Sequence, residues 1–313
     1  MKKNIIDFNK MKQDNIPVSW LTSYSYWQSK AAQNAGIDMI LCGDSYGNVE
    51  CGYSTTNPVS LKQMLQVTQN VRKGADTTFI VGDFNFGCYE SSNKEAINSA
   101  VQFIKSGADA IKLERASKTI LDRIKAISDI GILIFAHLGV TPQTALNLTG
   151  GYRCAGKTKE SFDIIYEESL KVQEAGANFL LLEGMSELSS KQIAKTLKIP
   201  VYGIGAGQTN GCLMIFHDLL GLFPDFRPYF SKCYIPEVIQ EFNNYLKQNK
   251  DNLKKLGRDT RTDGLLYLAE LAIKKYIQEV KSGEFPNKDY IYPLKEEELN
   301  ELRKSNYWDP KLE

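Results

Sequence analysis

A chain of 313 residues that is 42% hydrophobic and 24% charged can bury a large core, which excludes disorder away from its ends. Its 38 basic and 37 acidic residues leave a formal charge of +1, so no long-range field draws it to nucleic acid or an acidic membrane. No apolar run reaches the roughly 18 to 20 residues of a membrane span, and six scattered cysteines without a Cys-x-x-Cys pair read as reduced thiols of a cytoplasmic protein. The polar start Met1-Lys2-Lys3-Asn4 lacks the apolar core of a signal peptide, which supports the same expectation.

Taken in chain order, strands are predicted near residues 18–22, 38–42, 78–83, 109–113, 132–136, 178–183, 200–204 and 228–233. A repeat supports the alternation of these strands with helices. Ala35-Gly36-Ile37-Asp38, Ser106-Gly107-Ala108-Asp109 and Ala175-Gly176-Ala177-Asn178 each lead into an apolar run. A glycine just past a helix followed by a strand buried on both faces gives that pattern. Ahead of the second copy, Ala96, Ile97, Ala100, Val101 and Ile104 form one stripe at helical spacing. Eight strands predict an α/β fold, a (β/α)8 TIM barrel of about 250 residues, although an open doubly wound sheet shows the same alternation. The barrel is expected over 1–234 as the catalytic domain. Residues 235–313 read as a C-terminal helical extension packed on the barrel or on a neighbouring subunit. Its helices are predicted over 236–250 and 265–281, with a charged break from Lys250 to Asp263.

Most of these apolar runs end in a chemically capable residue, and a barrel gathers its strand ends on one face. Asp44 and Asp83 each follow a strand and a glycine. Two carboxylates on neighbouring strand ends suit a hard divalent cation such as Mg2+, and either aspartate is equally able to cap a helix. The two-residue strand period sends Lys112 and Glu114 to one side, with Ile111 and Leu113 toward the helices. This lysine and glutamate either neutralise each other or leave Lys112 to hold a substrate carboxylate. Glu183 follows three leucines, surroundings that raise a carboxylate pKa and suit a general base. An ion pair with a barrel lysine is the alternative. Of the two histidines, His137 at a strand end reads as a binding residue and His217 as structural. The run Gly203-Ile204-Gly205-Ala206-Gly207 lacks nucleotide-loop spacing and is expected to let backbone approach a ligand.

Taken together these segments resemble the ketopantoate hydroxymethyltransferase family. The stretches that carry the resemblance include Leu41-Cys42-Gly43-Asp44-Ser45-Tyr46-Gly47, Lys112-Leu113-Glu114, Ala136-His137-Leu138-Gly139-Val140-Thr141-Pro142-Gln143, Leu181-Leu182-Glu183 and His217-Asp218-Leu219-Leu220-Gly221. The resemblance implies a Mg2+-dependent barrel transferase that moves a hydroxymethyl group from 5,10-methylenetetrahydrofolate to C3 of the 2-oxo acid 3-methyl-2-oxobutanoate. It implies Asp44 and Asp83 as metal ligands, Ser45 and Lys112 on the substrate carboxylate, Glu183 as base, and Glu114 and His137 lining the site. A homo-oligomer, decameric in the family, is also implied. The chain departs from the family pattern at Arg115 and Ala116, where Gly-Gly is common, and at Gly184-Met185-Ser186 after the base. Two other readings stand beside this one. The related phosphoenolpyruvate mutase and isocitrate lyase barrels also act on 2-oxo acids with Mg2+, but the reactive Lys-Cys-Gly-His segment of the lyases is absent. An inactive scaffold would explain an altered rim, but has no need of buried charge.

Overall fold

The computed structural model describes residues 2–249 and 264–313. Eight parallel strands follow one another around a closed barrel: β1 (Val18–Thr22), β2 (Met39–Cys42), β3 (Phe79–Asp83), β4 (Ala110–Glu114), β5 (Leu133–Gly139), β6 (Phe179–Glu183), β7 (Val201–Ile204) and β8 (Gly211–Met214). Pairing of β1 with β8, from Val18 against Gly211 to Leu21 against Met214, closes it. That closure rules out the open sheet. The three glycines of the repeat, Gly36, Gly107 and Gly176, all have positive φ, the left-handed geometry that ends a helix and redirects the chain into the next strand.

The first seven strands lie where the apolar runs put them, and the eighth does not. Residues 228–233 are irregular chain, and the closing strand is the four-residue Gly211–Met214. Tyr229 and Phe230 are strand formers, which drew the expectation to the wrong segment. The true β8 opens on a glycine because a Cβ there would stand 2.3 Å from the Val18 carbonyl oxygen. Only a residue without one lets β8 approach β1 so closely.

Alternation along the strands sorts the side chains. Ile40, Ile80, Ile111, Leu113, Ile134, Leu180 and Leu182 face outward and pack with the helices. Inside, Trp20, Phe79, Phe135, Phe179 and Tyr202 join Phe8 from the N-terminal helix Ile5–Gln13. The Phe135 and Phe179 rings stack at 4.2 Å and 10°, and Phe8 meets Phe79 edge-on at 5.1 Å. These aromatics fill the barrel interior beneath the strand C-termini, each large side chain burying area worth about 1.5–3 kcal/mol. The result is an apolar floor, above which only the inward positions nearest the strand C-termini remain open to a ligand.

Beyond the barrel strands, the helix Gly264–Ser282 lies against β1 and the helix Tyr26–Ala35. The Tyr276 hydroxyl contacts the Trp20 and Cys212 carbonyl oxygens at 3.0 and 2.5 Å, bridging the β1–β8 seam. The helix Ile235–Gln248 packs on the outside of Gly264–Ser282, and the predicted charged break between these helices lies outside the described residues. Further on, Tyr307 stacks on Tyr166 at 4.6 Å and Trp308 meets Phe162 edge-on at 5.3 Å. A single β-bridge between Tyr292 and Ser186 carries this tail past the barrel mouth. Among the described residues no helix is long and apolar enough to cross a membrane, and all six cysteines are free.

Candidate active site

A cavity of about 390 Å³ opens at the C-terminal ends of the strands. Asp44 reaches it from the turn after β2, Asp83 from the last residue of β3, Lys112 and Glu114 from alternate positions of β4, His137 from β5 and Glu183 from the end of β6. Ser45 lines it as well. All seven residues singled out in the sequence therefore meet at one cavity. Strand register supplies the reason: Asp83 pairs with Lys112, and Glu114 with His137.

Contacts within the cluster are close. The Lys112 ammonium lies 2.7 Å from Asp83 Oδ1, 3.7 Å from Glu114 Oε1 and 3.2 Å from His137 Nδ1. The other ring nitrogen of His137 stands 3.2 Å from Glu183 Oε2. The backbone N–H of Asp44 donates to Asp83 Oδ2 at 3.0 Å, and the Ser45 and Tyr24 hydroxyls are 2.8 Å apart.

Burial governs the protonation states. It raises Glu183 from the ordinary carboxylate range to about 8, with Lys112 pulling down and Asp44 pushing up. Burial also raises Asp83 to about 8 against the pull of Lys112, and carries Glu114 well above its ordinary value. For Lys112, burial works against the ammonium, but Asp83, Glu114 and Asp44 outweigh it and the pKa is raised. Burial and then the Lys112 charge hold His137 well below its ordinary value, so the ring is neutral. A neutral ring accepting from Lys112 at Nδ1 carries its proton on Nε2, toward Glu183.

One buried ammonium thus faces four carboxyl groups: Asp44, Asp83, Glu114 and Glu183. Asp83 Oδ1 and Glu114 Oε1 are buried without a directed hydrogen bond. Such an excess of acid is costly unless the groups keep protons or meet added positive charge. Among the described residues, no three His, Cys, Asp or Glu side chains form a ready metal cage. The donor set is instead a pair of carboxylates, which fits a hard ion that keeps waters and takes further ligands from substrate.

Several residues in and behind the pocket were given no role by the sequence reading. Gln143 is 2% exposed; its side-chain amide donates to Asp44 Oδ2 at 2.9 Å and to the Phe84 carbonyl at 2.6 Å, and its backbone N–H donates to Glu114 Oε2 at 3.1 Å. It therefore orients two of the acids. Its signal was Pro142 at a helix start, which leaves the next N–H free to meet an anion. Asp218 and the aromatics Phe223, Phe226, Phe230 and Tyr292 also line the cavity; the His217-Asp218 stretch carried the family resemblance without giving Asp218 a role. His217 sits outside it, buried against Tyr24 with Nε2 3.4 Å from Glu50 Oε1. Of the glycine run, Ile204 lines the cavity, and a Cβ on Gly205 would stand 2.4 Å from the Phe230 ring, so this glycine admits an aromatic wall of the pocket.

Fold and cavity together define a (β/α)8-barrel enzyme with an acid-rich centre at the strand C-termini, the face where such barrels do their chemistry. The family model described as ketopantoate hydroxymethyltransferase matches residues 2–255. The chain belongs to that family, and so to the transferases. Relatives named 3-methyl-2-oxobutanoate hydroxymethyltransferase include one from Alkaliphilus metalliredigens, 38% identical over 94% of this chain and 94% of the relative. One from Kosmotoga olearia is 40% identical over 88% of this chain and 92% of its own. One from Bacillus subtilis is 36% identical over 96% and 98%. Similar solved structures include phosphonopyruvate hydrolase in complex with oxalate and Mg2+, at a TM-score of 0.56 and 11% identity over 89% of this chain and 98% of that one. Another is 2,3-dimethylmalate lyase of the PEP mutase/isocitrate lyase superfamily, at 0.55 and 14% over 89% and 99%. At such identities these last two share the fold with this chain.

Proposed function

We propose that this chain adds the one-carbon unit of 5,10-methylenetetrahydrofolate to C3 of 3-methyl-2-oxobutanoate, giving 2-dehydropantoate for pantothenate biosynthesis. The observation that carries the reading is the single ammonium among three buried acids and the partly buried Glu183, in a chain whose family is hydroxymethyltransferases. Asp44 and Asp83 would hold Mg2+, and Gln143, which donates to Asp44 Oδ2, would keep that carboxylate oriented. When bound, Mg2+ supplies the positive charge that makes the carbon beside a 2-oxo group acidic.

Glu183 then takes the C3 proton. Its raised pKa keeps it a strong enough base near neutral pH, and the Nε2 N–H of His137, 3.2 Å away, faces its carboxylate before the transfer. Lys112 has three N–H donors; Asp83 and His137 occupy two directions, and the third, with Ser45, serves the substrate carboxylate. Glu114, two residues nearer the mouth on β4, contacts the same ammonium at 3.7 Å. The new C–C bond joins C3 to the folate methylene carbon, both C–N bonds of that carbon break, water provides the hydroxyl oxygen, and the C3 proton and one proton of the water end on the two nitrogens of the released tetrahydrofolate. The reading extends to a homo-oligomer working in a reducing cytoplasm, for which the six free thiols give support.

The test is deuterium uptake at C3 of 3-methyl-2-oxobutanoate in heavy water with Mg2+ and no folate, followed by proton NMR. Glu183→Gln should slow uptake about 10²- to 10⁴-fold, the usual contribution of a general base. Uptake at the wild-type rate in that variant would refute the assignment.

A further inference from the structure

The cavity has two chemically different halves. The acids line one, and the other is lined by Phe223, Phe226, Phe230 and Tyr292 together with Asp218. Phe223 and Phe226 meet edge-on with centroids 5.5 Å apart, and Phe230 meets Tyr292 in the same manner at 6.1 Å. Phe226 is 61% exposed, a large apolar surface left open to water at the mouth of a polar site. A volume near 390 Å³ is of the size that holds a drug-sized molecule, which a branched five-carbon acid does not fill.

Asp218 is the polar exception in this half. It is 4% exposed, and among the described residues its carboxylate has one hydrogen-bond donor, the Ser231 hydroxyl at 2.9 Å. No lysine or arginine among them lies within ion-pair distance, and burial lifts its pKa to about 6. A carboxylate kept under an aromatic wall, with acceptor capacity to spare, calls for a ligand that brings N–H donors. Planar N–H pairs match the two oxygens of a carboxylate, as they do in arginine–carboxylate forks, and flat rings pack against aromatic faces.

We propose that this half is the subsite for a flat heterocycle bearing a cyclic guanidine edge, the reduced pterin ring of the folate donor, with Asp218 as the residue that recognises it. This rests on the reading of the donor given above. Asp218 accepts from the ring N–H and the exocyclic amino group, Ser231 holds the carboxylate in place, and Phe226 and Tyr292 pack on the ring. The helix Phe216–Leu220 after β8 supplies Asp218 and the chain that follows it the phenylalanines, while β2 to β6 supply the acids.

The experiment is calorimetric titration of the full-length protein, with Mg2+ and 3-methyl-2-oxobutanoate present, using tetrahydrofolate, which lacks the one-carbon unit and so binds without reacting. The paired probe is the same compound without its 2-amino group. Asp218→Asn keeps the side-chain shape and should weaken tetrahydrofolate binding about 10- to 100-fold, as loss of a charge-assisted pair implies. The 2-desamino compound, already deprived of one donor, should lose markedly less. Equal weakening of both probes would mark Asp218 as merely structural and overturn the proposal, as would wild-type affinity for tetrahydrofolate in Asp218→Asn. Failure of the wild-type protein to bind either compound while it still exchanges the C3 hydrogen would overturn the donor reading itself, a different result from the loss of discrimination at Asp218.

Discussion

Replacing Lys112 with methionine removes the one buried cation from the centre of the acid cluster while nearly preserving its volume. The ammonium is 2.7 Å from Asp83 and 3.7 Å from Glu114, with all three side chains almost fully buried. Taking away one partner of a buried pair costs about 3–5 kcal/mol, because the charge left behind has lost both its partner and its water. A second route to the magnitude uses protons. Burial already keeps Asp83 and Glu183 protonated up to about pH 8 in the wild type, so removing the ammonium changes the proton count only above that pH, where the variant keeps a proton that the wild type releases. A folded state that binds more protons loses stability as pH rises, and the gap from wild type therefore widens by about 1.4 kcal/mol per pH unit above about pH 8. Urea unfolding followed by circular dichroism at pH 7, 8 and 9 measures that gap directly. A loss below about 1 kcal/mol at pH 9, or a gap that does not widen from pH 8 to 9, would show that Lys112 does not offset buried negative charge. The double replacement Lys112→Met with Asp83→Asn should recover part of the loss, since both halves of the closest pair are then removed.

Gln143→Leu should weaken Mg2+ binding about 10- to 100-fold, the usual effect of removing the support of a ligand; calorimetry on the protein without substrate reads it, and unchanged affinity would detach Gln143 from Asp44. Arg115 holds a φ of +77°, a conformation costing a side-chain-bearing residue about 1–2 kcal/mol. Arg115→Gly should relieve that strain, lose about 0.4–1 kcal/mol through the looser unfolded chain, and leave a net gain near 1 kcal/mol in urea unfolding; a net loss would show that the arginine side chain outweighs the strain. Folate-free exchange should climb with pH up to about 8, where burial has placed Glu183, because only the ionised carboxylate accepts the proton, and then level off. A profile that falls between pH 6 and 8 would remove Glu183 as the base.

Arg115 shows how a departure from a family pattern acquires physical meaning only in three dimensions. The pattern has glycine there, and the structure keeps the left-handed backbone that glycine favours, with the Arg115 N–H still donating to the His137 carbonyl at 2.9 Å. The acids were legible one by one, since each ends an apolar run or alternates along a strand. Gln143 and Asp218 were not, because what makes them functional is a neighbour distant in sequence: Asp44 for the first, and the aromatic wall around a cavity for the second. Residues 228–233 misled for a related reason. Their β-forming side chains are used as a pocket wall, while the real closing strand depends on a glycine whose value is the nearness of Val18.

The order of strands and helices, the outward and inward faces of each strand, and the identity of the charged residues at the strand ends were set by local periodicity and side-chain chemistry, which act over a few residues. Closure of the barrel, the choice of β8, the pairing of Lys112 with Asp83 and the meeting of an acidic half with an aromatic half were decided by tertiary packing. Those features depend on distances between segments far apart along the chain, and a linear spacing carries no information about such distances until the strands have closed into a ring.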